Sequence, residues 1–99
     1  MAGQAPWLNP ILRRKPVEAA SGWARSTLYL RISQGLWTRP VSLGGRAVGW
    51  PASEVAALNA ARIAGKSDAQ IRTLVLGLES ARAAGGVELS TQVPSRREG

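Results

Sequence analysis

The 99-residue sequence predicts a mainly α-helical fold with a small β-hairpin. Two short helical segments flank a glycine-containing turn, and a Gly-Gly pair separates two short runs of β-type residues. An alanine-rich segment and an amphipathic segment come next. This order is expected to give one small domain, a winged helix-turn-helix followed by one or two additional helices.

The first two helices are short and close together. A short extended piece at 11–12 precedes a helix that Pro16 opens and Gly22 ends, because proline suits a first helical turn and glycine tolerates positive φ. The second helix runs from about Arg25 to Gln34. Only two residues separate Gly22 from this second helix, which is typical of a helix-turn-helix.

The next segment predicts the wing. The runs Val41–Leu43 and Ala47–Trp50 flank Gly44 and Gly45, and both central residues of a type I′ turn need positive φ. Arg46 comes directly after this turn, so its side chain is expected near the hairpin tip.

Two further helices are expected after the hairpin. An alanine-rich helix runs from Pro51 to Gly65, and Ser67 with Gln70 forms a capping box that opens the last helix. The last helix carries an apolar stripe at i, i+3, i+4, i+7: Ile71, Leu74, Val75 and Leu78. This stripe either packs on the domain or stays exposed in the monomer as a protein–protein contact, with a second protomer or another protein.

The chain is thereby divided into four parts. Residues 1–10 are expected to form a flexible N-terminal arm, 11–64 the winged helix-turn-helix domain, and 65–84 the C-terminal helix. Residues 85–99 are polar and glycine-rich, which predicts a disordered tail.

The net charge of +7 is concentrated in the first half of the chain. Residues 1–50 hold seven basic residues and one acidic residue, whereas residues 51–99 hold six basic and five acidic residues. This asymmetry favours a polyanionic partner for the first half. The basic residues lie in several short segments rather than in one amphipathic helix, so a membrane surface is not the expected partner.

Composition also limits the chemistry. The sequence has no cysteine and no histidine, which excludes thiolate metal sites and the commonest general base, so we expect neither an enzyme nor a metal or cofactor. No apolar run approaches the roughly 20 residues of a membrane span, and the N-terminus lacks the features of a signal peptide. A cytoplasmic protein is therefore expected.

The stretch "RSTLYLRIS" places its polar groups at the start of the second helix. In a helix-turn-helix this end meets base edges, so Arg25 could donate two hydrogen bonds to guanine. Ser26 and Thr27 could bind phosphate at the helix N-terminus, and Tyr29 could lie along the sugar–phosphate wall. The alternative is that the two hydroxyls merely suit a helix start and that Arg25 is solvated.

Two segments resemble a known family: "ILRRKPVEAASGWARSTLYLRISQG" and "RPVSLGGRAVGWPASEV". They are similar to the AlpA family of small prophage-type regulators and to excisionases, or recombination directionality factors, built on the same MerR-like winged helix. The resemblance covers residues 11 to about 64, and the second segment is its most specific piece because it matches the family's wing and the helix start after it.

The resemblance implies a non-catalytic protein that binds double-stranded DNA. It places the DNA contacts on the second helix and the wing, at Arg25, Ser26, Thr27, Tyr29 and Arg46. Further contacts are expected from basic residues of the same half: Arg31, Arg39 and Lys15. The chain departs from the family at two places. Ala24 stands where a capping serine is usual, and Leu30 followed by Arg31 stands where the family usually has a basic residue followed by an apolar one.

Three functions remain open from the sequence. The first is an excisionase that bends attachment-site DNA for a tyrosine integrase, with several copies assembling head-to-tail on the duplex. The second is a transcriptional activator of integrase or excisionase genes. The third, from another class, is a protein-interaction adaptor for an acidic partner.

Overall fold

Four helices and a three-stranded antiparallel sheet make up the part of the chain that is described, residues 8–91 of a computed structural model. Side chains are described as far as residue 83. The elements are, in order, β1 (Ile11–Leu12), α1 (Arg14–Ser21), α2 (Arg25–Ser33), β2 (Val41–Gly44), β3 (Ala47–Pro51), α3 (Ala52–Ile63) and α4 (Asp68–Thr91). The predicted fold class is confirmed, and the order of elements matches a winged helix-turn-helix followed by two helices.

The sheet contains one more strand than the predicted hairpin. Its strand order is β1-β3-β2, so β3 lies in the centre and pairs antiparallel with both neighbours. The extended piece at 11–12 is the third strand, because Leu12 pairs with Trp50. Gly49 is required where these strands meet, since a Cβ there would lie 2.5 Å from the Ile11 side chain and 2.9 Å from the Leu12 carbonyl oxygen.

The turn of the hairpin lies one residue later than predicted. Gly44 pairs with Ala47, which leaves Gly45 and Arg46 as the two loop residues. The register shifts between Ser42 and Gly44, and this irregularity accounts for the difference. Both glycines have positive φ, 105° and 55°, as the sequence required. Arg46 therefore lies in the turn itself, at the tip of the wing.

The predicted N-terminal arm, residues 1–10, includes two residues that belong to the domain, Asn9 and Pro10. Asn9 accepts a hydrogen bond from the Ser53 backbone N–H at 3.0 Å and donates one to the Ser53 hydroxyl at 2.9 Å. The Pro10 carbonyl accepts the N–H of Ala52 at 2.8 Å. These contacts supply the partners that the first N–H groups of α3 lack within the helix, so residues 9–10 belong to the domain. The rest of the predicted arm, residues 1–7, lies outside the described residues.

The core lies between the sheet and all four helices. Its buried members are Val17, Leu28, Trp37, Trp50, Val55, Leu58, Ile71 and Val75. Trp50 is fully buried, and its indole N–H donates to the carbonyl of Thr38 at 2.8 Å, so its polar atom is satisfied inside the core.

Helix α4 begins as the sequence predicts and extends further. The Ser67 hydroxyl accepts the N–H of Gln70 at 3.2 Å, and the Gln70 side chain accepts the N–H of Ser67 at 2.9 Å, which is a capping box. The helix runs to Thr91, so residues 85–91 of the predicted disordered tail are helical. The remainder of that predicted tail, residues 92–99, lies outside the described residues.

An ion pair connects α4 to the rest of the domain. Arg82 donates to both carboxylate oxygens of the buried Glu54, at 2.8 and 2.7 Å, and to the Arg39 carbonyl at 2.6 Å. The Arg39 backbone N–H donates to Glu79 at 2.7 Å. The hydrogen bond with Glu54 is the main reason that the pKa of Arg82 lies above its ordinary value. We call these four residues the α4 clasp.

Arg82→Ala is expected to lower the free energy of unfolding by about 2–3 kcal/mol, because it leaves the Glu54 carboxylate buried without its partner. The cost lies below that of a fully buried pair, since the Arg82 side chain is 24% exposed. Urea denaturation followed by circular dichroism measures it. The control is Lys66→Ala, an exposed position where a change within about 0.5 kcal/mol is expected. Equal stability of the two variants would contradict the clasp.

Candidate nucleic-acid interface

The turn between α1 and α2 is built from Gly22, Trp23 and Ala24. Gly22 has φ 81° and ends α1 in the left-handed conformation, as predicted. The Ser21 hydroxyl accepts the N–H of Trp23 at 3.2 Å and so supports the turn. Trp23 is half-buried, and its ring packs edge-on against Trp37 at 5.4 Å between centroids. The turn therefore holds the start of α2 at the protein surface.

Helix α2 has one buried side and one exposed side. Leu28 is fully buried and Ile32 packs against the core, one helical turn further on. Residues advance by about 100° each around a helix, so Leu30 lies on the side of α2 opposite to Leu28 and Ile32. The exposed side chains of α2 are Arg25, Ser26, Tyr29, Leu30 and Ser33. The polar front of the helix thus faces solvent.

The N-terminal turn of α2 lacks a side-chain cap. Ala24 occupies the cap position and forms no side-chain hydrogen bond there, as its methyl group requires. The exposed Ser26 hydroxyl and the half-buried Thr27 hydroxyl lie in this turn. Uncapped N–H groups and the positive end of the helix dipole make such a turn a favourable site for an anion.

Tyr29 links the front of α2 to the wing. The Arg25 guanidinium lies 6.0 Å from the centre of the Tyr29 ring, and that ring meets Trp50 of β3 edge-on at 6.4 Å. Arg46 stands four residues before Trp50, a distance of about 13 Å along an extended strand. The Tyr29–Trp50 contact therefore joins the exposed side of α2 to the strand that leads from the wing tip.

The other predicted contact residues lie elsewhere. Lys15 is exposed on α1, and Arg39 is exposed next to β2, where the α4 clasp holds its backbone. Arg31 lies on the flank of α2 away from Tyr29; its side chain donates to Gln34 at 2.9 Å and its guanidinium lies 5.7 Å from the centre of the Trp23 ring. The structure thus brings together Arg25, Ser26 and Tyr29, with Arg46 on the wing, and separates Arg31 from them.

Sequence reasoning missed two residues of this surface. Leu30 is 50% exposed on the outer side of α2, and its place on the helical wheel, opposite Leu28 and Ile32, would have predicted this. Arg13 donates to the Val48 carbonyl of β3 at 3.1 Å, which joins a second basic side chain to the wing. No signal for that contact exists in the sequence, because it depends on how β1 pairs with β3.

The apolar stripe of α4 faces the domain. Ile71 and Val75 are buried, and Leu74 and Leu78 pack against the same core. A partner protein on α4 would therefore meet other residues, such as Leu76, which is 68% exposed. Within residues 8–91 no helix is long and apolar enough to cross a membrane. The described residues also include no group of acidic side chains that could hold a metal ion.

The helix-turn-helix, the β-hairpin wing and the basic first half of the chain place this protein in the class of small winged helix-turn-helix proteins. The family model of the prophage CP4-57 regulatory protein (AlpA) matches residues 10–62, more than half of the chain. The chain therefore belongs to the AlpA family, and the suspected family is confirmed.

A relative in a phage supports this membership. The uncharacterized protein ORF88 of Enterobacteria phage P4 is 47% identical over 56 residues, which cover 57% of this chain and 64% of that protein. The chain thus spans less than two thirds of the length of this relative. No solved structure matches the chain.

Arg25 and Arg46 are expected to have different roles on DNA. Arg25→Ala should cost about 1–3 kcal/mol on a cognate site and relax its base preference, because this side chain stands at the front of α2. Arg46→Ala should weaken binding to all sequences and flatten the salt dependence by about one unit, because a wing-tip arginine meets phosphate. Binding titrations on randomised duplexes measure both effects, with Lys66→Ala as the control. A change of base preference caused by Arg46→Ala alone would reverse these roles.

Proposed function

We propose that this AlpA-family chain is a sequence-specific DNA-binding protein that acts as an excisionase, or recombination directionality factor, of a mobile element. It binds and bends attachment-site DNA so that a tyrosine integrase carries out excision. The observation that carries the proposal is the exposed, uncapped polar turn at the start of α2, linked through Tyr29 and Trp50 to a wing with an arginine at its tip.

The front of α2 reads the major groove. Arg25 donates two hydrogen bonds to a guanine, and Ser26 and Thr27 bind a phosphate together with the free N–H groups of the first turn. Tyr29 lies against the sugar–phosphate wall. Leu30, which is exposed on the same helix, meets a thymine methyl group.

The wing and α1 position the protein on the backbone. Arg46 reaches the DNA strand next to the groove that α2 enters, and Arg39, at the base of the wing, adds a second contact. Lys15 points outward from α1, the helix that crosses the backbone in this class of protein. These contacts set register and affinity, whereas α2 sets sequence preference.

A second candidate function is activation of transcription of integrase or excisionase genes. It is favoured by the description of the matching family as a prophage regulatory protein. The two roles use the same groove contacts and differ in the reaction that DNA binding promotes. An in vitro recombination assay with a supercoiled attachment-site plasmid and its tyrosine integrase separates them, because only an excisionase makes the reaction depend on this chain.

Binding is expected to depend strongly on salt. If about four to six phosphates are neutralised, a plot of log K against log salt concentration should have a slope of about −4 to −5. Fluorescence anisotropy on a labelled duplex between low and physiological salt measures the slope. A slope near zero would contradict a phosphate-dominated interface, and no binding even at low salt would favour the adaptor function.

Several copies are expected to bind side by side. One recognition helix reads only about three or four base pairs, which is too little to select one site in a genome. Neighbouring copies enlarge the site, and head-to-tail contacts between them raise the effective concentration of each. The exposed Ile63 and Leu76 offer apolar surface for such contacts, since the stripe of α4 faces inward.

Duplexes of increasing length test this assembly. Analytical ultracentrifugation should show stoichiometry rising with length, and circular-permutation gels should show a bend that grows with it. Leu76→Ser is expected to reduce cooperativity without changing the affinity of the first copy, and Lys66→Ser is the matched exposed control. A single copy that saturates a site of about ten base pairs would refute head-to-tail assembly.

A further inference from the structure

A second cationic site lies on the flank of α2 away from Tyr29. Two guanidinium groups approach the Trp23 ring, that of Arg62 at 4.0 Å from its centre and that of Arg31 at 5.7 Å. Both are held in place, because Arg62 donates to the Ser21 carbonyl at 3.1 Å and Arg31 donates to Gln34 at 2.9 Å. Ordered guanidinium groups lose less entropy when they bind an anion.

The positive charge of this site exceeds its negative charge, because three cationic side chains line it against one carboxylate, that of Asp68. The two salt bridges of the described side chains are Arg14 with Glu18 and Arg82 with Glu54, and neither includes Arg31, Arg62 or Lys66. Burial, and then the neighbouring charge of Arg31, lower the pKa of Arg62 below its ordinary value. An anion placed between these groups would offset the repulsion between the two guanidinium groups.

The cationic groups surround a cavity of about 440 Å³. Its apolar lining comes from Trp23, Leu36 and Ile71, and its polar lining from Arg31, Arg62, Lys66 and Asp68. We call it the Trp23 pocket. Its ligand must therefore carry negative charge next to apolar groups.

Three observations narrow the chemical class of ligand that the Trp23 pocket can bind. A phosphodiester backbone has no apolar group to cover Trp23 and Leu36. Arg31 lies two residues after Tyr29, about 200° around α2, so the pocket opens away from the proposed DNA-reading side. A second copy of the chain offers few free carboxylates among its described residues.

Three of the four carboxylates among the described side chains are engaged. Glu18 pairs with Arg14, Glu54 pairs with Arg82, and Glu79 accepts the backbone N–H of Arg39. The remaining one, Asp68, lines the pocket itself. From this part of the chain a neighbouring copy offers only Asp68, whose carboxylate lies beside the cationic groups of its own pocket.

We propose that the Trp23 pocket binds an acidic, apolar segment of a partner protein. A carboxylate of that segment pairs with Arg62 and Lys66, and an adjacent apolar side chain covers Leu36 and Ile71. The pocket stays accessible while α2 occupies a DNA groove, so the protein can join a DNA site to a second protein. The proposal does not depend on which DNA transaction the chain serves.

A peptide titration tests the pocket. The probe is a synthetic eight-residue peptide of alternating aspartate and leucine, added to the full-length ¹⁵N-labelled protein. The indole resonance of Trp23 should shift and saturate, together with the backbone resonances of Leu36 and Lys66. The same peptide with asparagine in place of aspartate is the control ligand, and it should bind at least about tenfold more weakly, because charge-assisted hydrogen bonds are lost.

Three variants that each remove one positive charge locate the site. Arg62→Gln and Lys66→Gln should each weaken peptide binding by about tenfold. Lys66 is exposed in the loop between α3 and α4, so its replacement leaves the fold intact. Arg46→Gln makes the same charge change at the wing and should leave peptide binding unchanged while weakening DNA binding. Circular dichroism verifies the fold of each variant.

The outcomes separate this proposal from DNA binding. Absence of peptide binding, or equal binding of the asparagine peptide, overturns the proposal. So does displacement of the peptide by a cognate duplex together with loss of DNA affinity in Lys66→Gln, since the pocket would then be a phosphate site. A protein that binds the peptide but no DNA would overturn the proposed DNA function and leave the Trp23 pocket standing.

Discussion

The burial of Trp50 is the interaction on which the arrangement of this domain depends. Its indole lies fully inside the core, donates to the Thr38 carbonyl, and contacts the edge of the Tyr29 ring. Its backbone belongs to the central strand, which pairs with Leu12 on one side and continues into the wing. One side chain thus connects the wing, the sheet, the loop before β2 and the recognition helix, so the distance between wing tip and α2 is set by core packing rather than by flexible loops.

Helix α4 supplies a second constraint. Arg72 donates to the Gln34 carbonyl at 2.8 Å, at the C-terminal end of α2, where a cation also interacts favourably with the helix dipole. The α4 clasp holds the Arg39 backbone at the start of the wing. Helix α2 and the wing are the two parts of the candidate interface. Both are therefore attached to α4, and a shift of α4 would move them together.

The two flanks of α2 have different chemistry. On the side of Tyr29 the exposed groups are polar and open, which suits a groove whose partners are base edges and phosphates. On the side of Arg31 the guanidinium groups stack on Trp23 around a concave, partly apolar cavity. A short helix thus serves two surfaces, because its narrow buried stripe, Leu28 and Ile32, leaves most of its circumference free.

Local patterns along the chain are enough to predict the order of the elements and the residues that end them. Glycines at the turns, the capping box at Ser67 and the apolar stripe of α4 are local signals, and local signals depend only on near neighbours in the chain. The concentration of positive charge in the first half is likewise a property of composition. From these features, the fold class could be predicted, as could most of the residues that lie exposed at the front of α2.

The features that join distant segments of the chain depend on the packed fold and could not be predicted. These are the capping of α3 by Asn9, the pairing of β1 with β3, the clasp between Glu54 and Arg82, and the stacking of Arg62 on Trp23. The one-residue shift of the hairpin turn belongs with them, because an irregular pairing between strands set it and not the turn residues alone. Each contact joins residues far apart in sequence, and no local pattern records which remote partner a side chain meets once the core has packed.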